Sequence, residues 1–152
     1  MRGIGHPAPT LRPRQSQWSV IMHRSRLAGF IIDCNTDNLE QAAEFWSAAL
    51  GYELRPKQEE ASPLYREMLT DELGLHVEVQ TVKHESRVHL DIESDDIEAE
   101  VKRLEALGAK RVATVHTWCV MEAPTGQRFC IVRPQNKQFA TQANVWGTPE
   151  NN

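Results

Sequence analysis

The chain has 152 residues, 40% of them hydrophobic and 25% charged, with a net charge of −4. This is the make-up of one globular domain; it lacks the basic surplus that draws a protein to nucleic acid or an anionic membrane. No apolar run approaches the ~20 residues that a transmembrane helix needs.

Residues 1–26 carry Arg2, Arg12, Arg14, Arg24 and Arg26, no acidic residue, and prolines at positions 7, 9 and 13. The segment has no apolar core of a secretory signal, and its prolines spoil the amphipathic helix of a transit peptide. A disordered extension is expected there, with Met22 as an alternative translation start.

From Leu27 the pattern becomes regular. Residues 27–34 are nearly continuous in apolar side chains and read as a strand. Residues 39–50 place Leu39, Ala43, Trp46 and Leu50 on one helical stripe, and Leu50-Gly51 supplies the usual left-handed stop. A strand is expected to start at 52–56, and 58–63 is a polar loop. Strands at 64–70 and 75–82 flank the turn 71–74, which gives the order β-α-β-β-β.

The same order follows again. Val88, Leu90 and Ile92 alternate with His89, Asp91 and Glu93, the period of a strand with one apolar and one polar face. Asp95-x-x-Glu98 has the form of a helix N-cap with a reciprocal carboxylate. The helix 97–107 should face Ile97, Val101, Leu104 and Leu107 inward and ends at Leu107-Gly108. Strands at 110–115, 117–122 and 128–133 complete the second set, with a turn at 123–126. Residues 135–152 are polar and expected to form a loose tail, Trp146 notwithstanding.

The two halves also match residue by residue. Laid without gaps, 31–40 on 89–98 aligns Asp33 with Asp91, Asp37 with Asp95, Leu39 with Ile97 and Glu40 with Glu98. Gly74 to Glu78 and Gly126 to Cys130 share a turn-glycine-then-strand spacing. Each half, roughly 55–60 residues, is too small to bury a good core alone.

Strand parity then sorts the side chains. Ile31 and Asp33, His76, Glu78 and Gln80, His89 and Asp91, and Arg128 and Cys130 fall on one face. Phe30, Ile32, Val77, Val79, Val88, Leu90, Phe129 and Ile131 fall on the other, which should pack on the helices. A face so rich in ionisable groups needs partners or solvent, and a ligand cavity meets that need.

The paired β-α-β-β-β order resembles the vicinal oxygen chelate superfamily, and so do three stretches: Leu39-x5-Phe45-Trp46-x3-Leu50-Gly51, Val88-His89-Leu90-Asp91 and Pro124-x-Gly126-x2-Phe129-Cys130. The superfamily includes glyoxalase I, bleomycin-resistance proteins and extradiol dioxygenases, and the match is best to its glyoxalase-like domain branch. The resemblance spans about 27–134. It implies an α+β fold of two tandem βαβββ modules, 27–82 and 87–134, forming a cup-shaped mixed sheet with helices outside.

The resemblance also implies a site. Metal-dependent members hold a divalent ion in the cup, with one ligand from the first and last strand of each module. His89 and Glu78 match two of those positions, Ile31 stands at the third, and Cys130 stands where such members have Glu. A metal, if held, would use His89, Glu78 and Cys130; two firm ligands fall short of the three or four that fix zinc, so no tightly bound cofactor is expected. His89 and Glu78 are the candidate catalytic pair, with Asp91, Asp33, Gln80, Trp118, Arg128 and Cys130 as ligand-binding candidates. Arg128 either meets an anionic ligand or pairs with Glu78 or Asp91. His76 is expected at the rim.

Two functional classes remain open: a metal-free small-molecule binding protein, or a metal-dependent lyase, isomerase or dioxygenase. Three widely spaced cysteines, Cys34, Cys119 and Cys130, suit a reducing cytoplasm. The superfamily's habit of pairing sheets implies a homodimer.

Overall fold

The computed structural model describes residues 22–147. The expected extension therefore lies outside the described residues up to position 21, as do the choice of translation start and the last five residues of the tail.

Strand β1 (His23–Cys34) leads into α1 (Leu39–Leu50), followed by short β2 (Tyr65–Glu67) and β3 (His76–Thr81). The second set is β4 (Arg87–Ser94), α2 (Ile97–Ala106), β5 (Lys110–Val115), β6 (Trp118–Glu122) and β7 (Arg128–Val132). The strand expected at 52–56 survives as a single antiparallel bridge, Leu54 to Met68. The sheet order is β2-β3-β1-β4-β7-β6-β5. β1 runs parallel to β3 and β4 parallel to β7, while β1 and β4 meet antiparallel. The two βαβββ modules thus join edge to edge through their first strands in one curved sheet.

The helices begin and end where capping chemistry puts them. Asn38 accepts a hydrogen bond from the Gln41 amide, and Gly51 closes α1 in the left-handed region at φ 76°. In α2 the cap is Asp96, which accepts from the Ala99 amide. The expected Asp95–Glu98 pair does not form. Glu98 instead binds Arg111 on β5, and Asp95 accepts from the Arg24 amide.

Each module packs its own core under its helix. Ile32, Ala43, Met68 and Val79 form one cluster, backed by Leu39 and Trp46. Val101, Cys119, Met121 and Ile131 form the other, backed by Ile97 and Leu104. Four expected core positions are exposed instead: Leu107 at 67%, Val88 at 59%, Leu50 at 45% and Leu90 at 43%. α1 lies over β2 and β3, and α2 over the second module, which leaves the outer face at Val88 and Leu90 uncovered.

Both ends of the domain differ from expectation. β1 starts at His23, four residues before the expected boundary, because 23–26 have partners. The His23 ring meets Glu100 at 2.6 Å, and Arg26 lies 3.6 Å from Glu93. Past Pro134 the chain is ordered as α3 (Phe139–Gln142) and β8 (Asn144–Trp146), and β8 pairs with the start of β1. Buried Glu93 accepts hydrogen bonds from the amides of Gln135 and Asn136. The Trp146 indole donates to Ser25, and its ring stacks under the Arg103 guanidinium at 3.9 Å. These are side-chain contacts distant in sequence, so local composition carries no trace of them.

Gly29 pairs with His76 across the β1–β3 seam, next to a bulge in the β1–β4 ladder. A Cβ at Gly29 would lie 1.7 Å from the His76 carbonyl oxygen, so any side chain there forces the strands apart. Gly29→Ala should lower stability by about 4 kcal/mol or more, measured by denaturant unfolding. An unchanged midpoint would show that β1 and β3 are not pressed together at this point.

Candidate functional site

The seam between the modules carries the chemistry. On β1 and β4, Ile31 stands opposite His89 and Gly29 opposite Asp91, while Asp33 stands opposite Arg87. β7 places Cys130 directly beside Asp91. Period-two alternation points Asp33, His89, Asp91 and Cys130 to one face, and they line a cavity of about 360 Å3. That is within the range of small-molecule pockets.

His89 is the hub. Its Nδ1 lies 2.7 Å from Asp33 Oδ2 and its Nε2 3.4 Å from Asp91 Oδ1. Both carboxylates are buried, Asp33 at 2% exposure and Asp91 at 7%. Asp33 Oδ1 and Asp91 Oδ1 have no well-aligned hydrogen-bond partner, so the 3.4 Å contact of Asp91 is ionic rather than a good hydrogen bond. Burial alone would push the imidazole toward its neutral form. The hydrogen bond to Asp33, the nearby Asp91 and Cys130 and the charge of Asp33 outweigh that, and its pKa is raised to about 11. The ring is therefore an imidazolium shared by two buried carboxylates.

A second histidine–carboxylate pair sits across the cavity. His76 meets Glu78 at 2.6 Å and Glu67 at 3.4 Å. Burial lowers its pKa, but Glu78 and Glu67 outweigh burial and raise it overall. Glu78 thus lines the same cavity as His89 but is bonded to His76, and the expected His89–Glu78 pair is not formed. Gln80 also lines the cavity and donates to the Tyr65 hydroxyl at 3.2 Å. Burial and the charge of Glu78 push the Tyr65 hydroxyl's pKa up.

Trp118, Val120, Phe129 and Val132 supply an apolar wall. Arg128 is at the wall too, but its guanidinium bonds Glu122 at 3.0 Å, rather than either carboxylate expected. All eight residues singled out from the sequence line this one cavity. His76, assigned there to the rim, is half-buried inside it. Its position on the polar face beside Glu78 and Gln80 was the available signal.

The donors for a metal can be tested on the same geometry. Of the four positions implied by the superfamily, Ile31 offers no donor atom and Glu78 is engaged by His76. His89, Asp91 and Cys130 do bring one donor each within 4.8 Å of one another, a partial set. Two of the four implied positions thus supply no free donor, and the set that the cavity offers is a partial one.

A profile of the glyoxalase-like domain matches residues 29–132. The chain belongs to the glyoxalase-like domain family of the vicinal oxygen chelate superfamily. Among solved structures it is similar to a methylmalonyl-CoA epimerase from Mycobacterium tuberculosis. The two share 17% identity at TM-score 0.53, over 76% of this chain and 91% of that one. A chain described as an NAD-dependent benzaldehyde dehydrogenase from Legionella pneumophila gives 13% identity and TM-score 0.50, over 70% of this chain and 99% of the other. Likeness at these identities concerns the fold. No curated protein matches the chain significantly, and among the described residues no helix is long and apolar enough to cross a membrane.

The charge on His89 has a measurable sign. A pKa raised from 6.5 to about 11 means stabilisation fully present below pH 6.5 and lost as pH rises through about 11. Melting curves of wild type and His89→Gln should therefore converge between pH ~7 and pH ~11. A constant gap over that range would mean that the ring is neutral throughout.

Proposed function

We propose that this protein binds a small molecule in the cup between its modules without a tightly bound metal. The observation that carries the reading is the Asp33–His89–Asp91 array on the wall of an open cavity. Burying two carboxylates and an imidazolium costs stability that a purely structural core would avoid by using apolar side chains. Perturbed titratable groups in a cleft are the usual mark of a binding or reacting site. A ligand's polar end would face this array and His76, and its apolar part would lie against Trp118 and Phe129.

In this reading the protein is cytoplasmic and homodimeric, with the exposed Val88 and Leu90 face available for burial against a second copy. The convergence of His89, Asp91 and Cys130 supports a second reading, a metal-dependent lyase, isomerase or dioxygenase. That reading needs a metal able to displace the His89 proton.

A thermal-shift screen of small metabolite-like compounds, followed by calorimetric titration of the hits, tests the first reading. Trp118→Ala and His89→Gln should each weaken a true ligand by about tenfold or more, or ~1.4 kcal/mol. Affinity unchanged in both variants would place binding outside the cup. Stoichiometric zinc, nickel or manganese after chelator-free purification, lost in His89→Gln, would favour the metal-dependent reading instead.

A further inference from the structure

We propose that His116 is a positioning residue for the cup: its ring, presented from a strained turn, holds Trp118 in place as a wall of the cavity and so limits the ligand shapes that wall admits. The inference rests on the cup being the binding site and adds the residue that fixes one side of it.

The turn is short. β5 and β6 pair as far as Val115 and Trp118, which leaves His116 and Thr117 as a two-residue hairpin loop. Such loops take type I′ or II′ turns, and both need a positive φ at the first loop residue, where glycine, asparagine and aspartate are preferred. His116 occupies that place at φ 48°, and among the described residues it is the one non-glycine with a positive φ. The left-handed region brings a Cβ too close to the following carbonyl oxygen. Backbone strain of this kind gathers at ligand clamps and other working sites, where the surrounding structure enforces it.

The ring has an aromatic partner and no polar one. Hydrogen bonds and ion pairs of the described residues engage the rings of His23, His76, His84 and His89, but not that of His116. Its imidazole lies 5.4 Å from the Trp118 ring, centroid to centroid, at an interplanar angle of 53°. That is within the span of about 4.5–7 Å over which aromatic pairs attract.

Trp118 has little else to hold it. It begins β6 and lines the cavity with Val120, while Cys119 and Met121 point the other way into the second core cluster. Neither core cluster includes Trp118. The Trp146 indole donates to Ser25; among the described residues the Trp118 indole has no such acceptor. A large side chain so placed changes rotamer freely unless a neighbour packs against it. His116 is that neighbour.

The test reads Trp118 directly, by nitrogen-15 NMR of the tryptophan indole groups in the full chain, with its signal assigned by Trp118→Phe. His116→Asn suits the same backbone and removes the ring; His116→Gly removes ring and strain together. In both variants the Trp118 signal should shift and its fast motion increase, while Trp46, packed on the first core cluster, stays as it was. His116→Gly should melt no more than about 2 °C below wild type, because the relieved backbone offsets the lost contact. Anilinonaphthalene sulfonate, a flat apolar dye, should bind His116→Asn about fivefold more weakly than wild type, and Trp118→Ala more weakly as well. An unchanged Trp118 signal in His116→Asn overturns the proposal. So does a fall of about 4 °C or more in both His116 variants, which would make the ring a support of the fold. Dye affinity lowered by Trp118→Ala but not by His116→Asn overturns it too. Dye affinity unchanged in every variant, with Trp118 freed by His116→Asn, counts against the cup as the binding site and leaves the positioning of Trp118 standing.

Discussion

Two buried carboxylates, Asp33 and Asp91, share one imidazole at the line where the modules meet, and the site depends on that sharing. Asp33 is on β1 and His89 and Asp91 are on β4, so the three side chains meet only while the antiparallel seam keeps its register. A slip of one residue would turn every one of these side chains to the opposite face. On its other side β1 relies on Gly29, whose bare backbone lets β3 approach it. Fold and site are therefore one constraint: the contact that unites the halves also builds the array that only the united halves contain.

The cup differs from its superfamily's metal-binding pattern in a chemically coherent way. With Ile31 at one ligand position and Glu78 held by His76, two of the pattern's four donors are not free, and a histidine whose pKa is raised lies at the centre. An imidazolium and a divalent cation both neutralise neighbouring carboxylates, but only the cation leaves open coordination positions for a substrate oxygen. The histidine leaves a proton that can move. That proton lies beside Asp91 and Cys130 on the cavity wall.

The modular fold was legible because it is written locally. Period-two alternation in residues 88–93, the Leu-Gly helix stops and the gapless match of 31–40 on 89–98 each depend on near neighbours. Parity alone brought Asp33, Glu78, Gln80, His89, Asp91, Arg128 and Cys130 to one cavity. What escaped was set by long-range partners. His23 is held by Glu100 and Trp146 by Arg103 and Ser25, and none of these pairs leaves a periodic trace. Glu78 chose His76, two residues away on its own strand, over His89 across the cup, and parity cannot rank partners on the same face. Val88 and Leu90 look like core residues in any alternating strand; their exposure follows from where the two helices lie.

The central claim is that His89 carries its proton on both ring nitrogens well above neutral pH. Nitrogen-15 NMR of the histidine ring at pH ~8.5, assigned with His89→Gln, measures this directly. The account predicts two protonated-nitrogen signals for His89 at a pH where an ordinary histidine, with a pKa of about 6.5, is neutral. A single protonated nitrogen with a midpoint near that ordinary value would contradict it.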